Sequence, residues 1–180
     1  MTPRILAFAG SLRRESFNKK LVPIAAKAAR DAGAEVTLID LKDFPLPLFD
    51  QDLEAEQGMP ENGKKLKQLF IDHDGLLIAS PEYNSSITAV LKNAIDWVSR
   101  PAPGEASLVA FRSKVSTLMS ASPGALGGDG HELLIEGAPA EAAGEGQNAW
   151  LHRSRSCLIR QCPSNFRLYR EVSSATQSEE

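Results

Sequence analysis

Cysteine is scarce in this chain: there are two in 180 residues, Cys157 and Cys162, both late. A pair five apart is too little for a zinc site, which takes about four ligands. A disulfide is not expected in the cytoplasm, so two unrelated free thiols is the plain reading. Long apolar runs are missing too, and nothing approaches the roughly 18 residues of a membrane span. Neither charge sign dominates: the net charge of −3 argues against a general nucleic-acid binder. Histidine is sparse and scattered. His73, His131 and His152 fall outside every motif loop, so each is expected to be structural or exposed rather than catalytic. Lysine is absent after Lys114. The start, Met1-Thr2-Pro3-Arg4, runs straight into strand-like residues rather than into a signal peptide, which makes the cytoplasm the expected setting.

What is present suits one α/β domain. The chain is 42% hydrophobic, enough for a real core. Ile5-Leu6-Ala7-Phe8-Ala9 is a continuous apolar run, as expected of a parallel strand buried on both faces. Val36 to Ile39, Leu76 to Ala79 and Val115 to Met119 read as three more strands. Phe17, Leu21, Ile24, Ala25 and Ala28 mark a helix closed by Gly33. Pro23 lies inside it and predicts a kink near residues 19–23, since an interior proline costs roughly 3 kcal/mol. Residues 41–60 read as a long connection. Its acidic residues Asp50, Asp52, Glu54 and Glu56 raise the question of a metal, and solvated loop charge is the simpler reading. Glu61 to Ile71 is a helix with Leu66, Leu69 and Phe70 inward.

The chain is organised around Ser80-Pro81-Glu82-Tyr83-Asn84-Ser85-Ser86-Ile87, which continues to Leu91-Lys92-Asn93-Ala94-Ile95-Asp96-Trp97. A strand precedes it. Ile87, Val90, Leu91, Ala94, Ile95 and Val98 then recur three and four apart, so a helix with one apolar face follows. Ser85 or Ser86 is the expected cap. Trp97 lies off the main stripe, where a large aromatic suits an interface. In open parallel sheets, ligands bind at the carboxyl ends of strands. An ordinary turn, rich in Pro, Asn and Ser because turns are, explains the stretch as well.

Two more loops leave strand ends. After the first strand comes Gly10-Ser11-Leu12-Arg13-Arg14-Glu15-Ser16-Phe17-Asn18. Ser16 can cap the helix, whose first turn holds Asn18, Lys19 and Lys20 and no carboxylate. A bound phosphate would supply the missing anion, with Ser11, Arg13, Ser16 and Asn18 as donors. Surface lysines without a ligand remain the alternative. The pattern is not G-x-G-x-x-G, so a dinucleotide fingerprint is not indicated. After the fourth strand comes Ser120-Ala121-Ser122-Pro123-Gly124-Ala125-Leu126-Gly127-Gly128, either a close approach to a flat ligand or a plain glycine-rich turn.

The Pro-Glu-Tyr-Asn loop followed by Leu-Lys-Asn-Ala-Ile-Asp-Trp resembles the NAD(P)H-dependent FMN reductases with a flavodoxin-like fold. The first loop is similar to that family's Gly-Ser-x-Arg-x-x-Ser-x-Asn phosphate loop, and the third to its Ser-x-Gly-x-x-Gly-Gly loop. Phe44-Pro45-Leu46-Pro47-Leu48-Phe49-Asp50 resembles the family's excursion after the second strand. The resemblance implies a three-layer α/β sandwich with a parallel sheet in order 2-1-3-4(-5). It implies FMN as cofactor and NAD(P)H as co-substrate. The cofactor-binding residues it implies are Ser11, Arg13, Ser16, Phe17 and Asn18, then Pro81, Glu82, Tyr83, Asn84 and Ser85, then Ser122, Gly124, Gly127 and Gly128. No catalytic side chain and no metal ligand is implied. The acceptor would be a flavin, a quinone, an azo compound or a metal oxyanion. The partners would be small molecules, neither nucleic acid nor membrane, and the chain would form a homodimer or homotetramer in the cytoplasm. Two other readings stay open: a flavodoxin-like electron carrier, and a non-functional relic.

The resemblance covers residues 1–128, taken as the FMN-binding domain. Residues 129–180 form an atypical tail in which arginine replaces lysine and both cysteines fall. A change of reading frame after Gly128 and a genuine, poorly ordered or helical tail are both consistent with that shift. Either makes the fifth strand and last helix doubtful.

Overall fold

The computed structural model describes residues 1–121 and the backbone of 166–168. The elements run β1 (Arg4–Ala9), α1 (Phe17–Asp31), β2 (Glu35–Asp40), a 3-10 turn (Leu41–Asp43), α2 (Gln51–Gln57), α3 (Glu61–Asp72), β3 (Gly75–Ala79), α4 (Ala89–Val98), β4 (Val115–Ala121) and β5 (Phe166–Leu168). The sheet order is β2-β1-β3-β4-β5. The first four strands are mutually parallel. This is the flavodoxin-like order expected from the sequence. The short β5 pairs antiparallel with the end of β4, Met119 opposite Leu168 and Ala121 opposite Phe166. The questions of a last helix and of a change of reading frame after Gly128 concern residues outside those described.

The apolar runs make a sheet buried on both faces. Leu6, Phe8, Leu76 and Ile78 face α3 and α4, where Leu66, Phe70, Leu91, Ala94 and Val98 meet them. Phe70 sits between the Phe8 and Phe111 rings, with centroids 5.6 and 5.5 Å away. On the other face Ala7, Ala9, Ala79, Met119 and Ala121 carry α1 through Leu21, Val22 and Ala26. Small residues on that face let α1 lie close to the sheet.

Several local expectations need correction. The cap of α4 is Thr88, not Ser85 or Ser86: its Oγ1 accepts from the Leu91 N–H at 3.2 Å. Trp97 is fully buried rather than presented at a surface. Its Nε1–H donates to the Pro47 carbonyl at 2.8 Å, and its ring meets Phe49 edge-on at 5.1 Å. The apparent stripe missed this because the Trp97 partner is the 44–50 excursion, not the sheet. Asn93 holds that excursion too, accepting from the Phe49 N–H and donating to the Pro47 carbonyl. Within the supposed loop 41–60 lies α2. Asp50 caps it by accepting from the Asp52 and Leu53 N–H groups, and Asp52 and Glu54 complement its dipole. Pro23 lies inside α1, as expected, and does not end it. The bond that Pro23 cannot donate would end on the Lys19 carbonyl, in the first turn.

Candidate functional site at the carboxyl edge of the sheet

The carboxyl ends of β1, β3 and β4 stand side by side, Ala9 opposite Ala79 and Ala79 opposite Met119. Between β1 and β3 the chain order reverses, which is the switch point where such sheets take ligands. Two of the sequence-derived loops lie there within the described residues. The third, with Ser122, Gly124, Gly127 and Gly128, lies outside them.

The base of the site is tightly tied. The Gly10 N–H donates to the Ala79 carbonyl at 2.8 Å, and the Ser80 N–H to the Met119 carbonyl at 2.9 Å. Thr88 Oγ1–H donates to the Gly10 carbonyl at 2.6 Å while capping α4. One threonine thus ends a helix and fixes the first loop. Gly10 has to be glycine: a Cβ there would meet Ser80 Oγ at 2.9 Å and Leu91 Cβ at 3.1 Å.

The first loop leads into the amino end of α1. Ser16 is its N-cap in an extended conformation, yet its hydroxyl makes no capping bond, and no acidic residue stands in the first turn. Ser11 and Ser16 are both buried, 3% exposed each. Ser11 Oγ accepts from the Arg13 N–H at 3.3 Å. Arg13 is exposed and makes no ion pair among the described residues. The uncapped N–H groups of the first turn and an exposed guanidinium therefore share one loop. The two lysines of the first turn are already paired: Lys19 with Asp40 at 2.6 Å and Lys20 with Glu15 at 3.2 Å. Asp40 is held below the ordinary carboxylate range. Burial alone would raise it, but the hydrogen bonds from Lys19 and from the Lys42 N–H outweigh that, helped by both lysine charges. Asn18 is also occupied. Its amide nitrogen donates to the Ala121 carbonyl at 3.0 Å, and its amide oxygen accepts from the Ala121 N–H at 2.9 Å.

The second loop closes on itself. The Tyr83 N–H donates to the Ser86 carbonyl at 2.9 Å and the Ser86 N–H to the Tyr83 carbonyl at 3.2 Å. Asn84 and Ser85 between them are both left-handed, φ 54° and 58°. This is the type I′ arrangement, strained for serine and easier for asparagine. The N–H groups of Asn84 and Ser85 make no bond to another backbone carbonyl among the described residues. Pro81 and Glu82 are half-buried and Tyr83 is exposed. Phe17 is half-exposed at the mouth of the first loop, with the Lys20 ammonium 5.9 Å from its ring centre.

Other buried polar groups serve the scaffold. His73 lies at the amino edge of the sheet, away from the site. Its Nδ1–H donates to the Leu69 carbonyl at 2.6 Å, and its Nε2 is hydrogen-bonded to Thr37 Oγ1 at 2.7 Å. Lys67 pairs with Glu105 and donates to the Arg100 carbonyl. Among the described residues no three His, Cys, Asp or Glu side chains gather to hold a metal ion.

Comparison with known proteins agrees with this fold. A curated 2-hydroxy-1,4-benzoquinone reductase from a Burkholderia species is 45% identical over 101 residues, covering 56% of this chain and 52% of the relative. A quinone reductase from Pseudomonas putida is 40% identical over 121 residues, covering 67% and 61%. The chain thus spans about half to three-fifths of the length of these relatives. The solved flavoenzyme NAD(P)H:(acceptor) oxidoreductase FerB from Paracoccus denitrificans superposes with a TM-score of 0.57 at 31% identity, covering 69% of this chain and 64% of FerB. The model of the family described as NADPH-dependent FMN reductase matches residues 3–134, and the chain belongs to that family.

Proposed function

We propose that this chain is an NAD(P)H-dependent FMN reductase that passes electrons to a small-molecule acceptor. The observation that carries the reading is the amino end of α1. It offers uncapped N–H groups, two buried serines and an exposed arginine with no ion pair among the described residues, with no carboxylate in the first turn, beside the loop that follows β3. That donor set fits a phosphate monoester. The Phe17, Asn18 and Lys19 N–H groups would hold it, Ser11 and Ser16 would donate hydroxyls, and Arg13 would reach it from the open side.

FMN, when bound, supplies the redox chemistry, exchanging hydride with NAD(P)H and electrons with the acceptor. The chain's part is placement and electrostatics. The N–H groups of Asn84 and Ser85 would donate to a ring edge that gains negative charge. Pro81, Glu82 and Tyr83 would line the ring. No side-chain acid or base is assigned, because hydride transfer needs none. Ser122, Gly124, Gly127 and Gly128 belong to the same reading through their motif. Relatives named for quinones favour a quinone over an azo compound or a metal oxyanion as acceptor. A cytoplasmic setting and a homodimer or homotetramer complete the reading, and light scattering measures the assembly.

The test is direct. Purified protein loaded with FMN should oxidise NAD(P)H when a benzoquinone is added, without any partner reductase. Quinone-independent rates, or a need for a second protein to reduce the flavin, would reject the proposal.

A further inference from the structure

We propose that Asn18 is a positioning residue of this site: its side chain locks the end of β4 to the phosphate cradle instead of touching the phosphate. The inference rests on the FMN reading above. Asn18 stands in the first turn of α1, so its backbone N–H belongs to the cradle. Its side chain points elsewhere. The amide donates to and accepts from the same residue, Ala121, at 3.0 and 2.9 Å. Two strand residues facing each other in an antiparallel pair exchange bonds in this way. Asn18 therefore stands in for a strand neighbour at the last residue of β4, 103 positions away in sequence. Ala121 is the residue from which the chain leaves for the glycine-rich run 122–128.

Only a short planar amide fits this task. It carries donor and acceptor together. Aspartate would keep the bond from the Ala121 N–H but turn a charged oxygen toward the Ala121 carbonyl. Alanine would leave both Ala121 groups unpaired where the residue is 7% exposed. In either variant the cradle and the end of β4 lose their fixed separation. The end of β4, on the ring side of the site, is then no longer held in place, which is a loss of ring binding and not of phosphate binding.

Titration with FMN and with riboflavin separates the roles, because riboflavin has no phosphate. Asn18→Ala and Asn18→Asp should weaken both ligands by the same factor, about tenfold, and should alter the absorption band shape of the bound ring. Arg13→Ala should weaken FMN alone. Loss of FMN with riboflavin unaffected in the Asn18 variants would place the side chain on the phosphate and overturn the proposal. Unchanged affinity for both ligands would reduce Asn18 to a stability role and overturn it too. If neither variant folds, hydrogen exchange on the wild-type chain decides. The Ala121 amide should gain protection on adding either flavin, and an equal rate with and without flavin would refute the coupling. A wild-type chain that binds neither flavin would overturn the cofactor reading, and this proposal with it.

Discussion

At the scale of single residues, Arg13 is the charged group that the reading depends on most. A charge-assisted bond to phosphate is worth roughly 1.5–3 kcal/mol. Arg13→Ala should therefore cost FMN that much affinity by fluorescence titration and leave riboflavin nearly untouched. Equal losses would remove Arg13 from the phosphate. The role proposed for Arg13 comes from a motif that is local in sequence. The partners of Lys19 and Asn18 were not legible: Asp40 and Ala121 reach them only after β2 and β4 fold beside α1. The Lys19–Asp40 pair also carries a pH signature. Asp40 is lowered in the fold, so its contribution is present above its unfolded value, near pH 4. It is lost as pH falls through the folded value. Because the Asp40 side chain is 38% exposed, solvent screening limits the pair to roughly 0.2–1 kcal/mol. Urea unfolding should show Asp40→Asn less stable than the parent by that amount at neutral pH. The difference should shrink as pH falls below about 4; a constant gap would show that the charge plays no part.

At the scale of elements, Thr88 and Trp97 show what periodicity reads and what it misses. The spacing of Leu91, Ala94 and Val98 correctly placed α4 against the sheet. It could not reveal that Thr88 would cap the helix and bind Gly10, since the Gly10 carbonyl lies 78 positions away. Thr88→Val keeps the bulk and removes both bonds, so thermal unfolding should report a loss of about 1–2 kcal/mol. An unchanged Tm would mean the cap is idle. Trp97 belongs to the 44–50 excursion through Pro47 and Phe49. Trp97→Phe should lower stability by about 1 kcal/mol for the lost donor. By light scattering it should leave the particle size unchanged, because the indole is inside the chain. A smaller particle would restore an interface role. Helix α2 escaped notice because its seven residues show no apolar period. Asp50 as cap and Gly58 just past its end, at φ 71°, were the available signals.

At the scale of the whole molecule, the strand order and the motif positions support each other. Continuous apolar runs announce parallel strands, and order β2-β1-β3-β4 sets the loop after β1 beside the Pro-Glu-Tyr-Asn loop. The fold up to β4 was therefore readable almost throughout. The end of the chain was not, because residues 129–180 offer little apolar pattern from which to derive an element, and the antiparallel β5 is specified by pairing with β4 alone. The central claim is that a phosphate monoester sits on the amino end of α1 with Arg13. Phosphorus NMR of the FMN-loaded protein tests it most directly. A free phosphate monoester gains its second charge near pH 6, whereas helix N–H groups and a guanidinium favour the dianion. The bound resonance should stay at its dianion position from about pH 8 down to about pH 5, and Arg13→Ala should restore part of the titration. A bound resonance that moves through pH 6 (roughly the free value) as free FMN does would contradict the account.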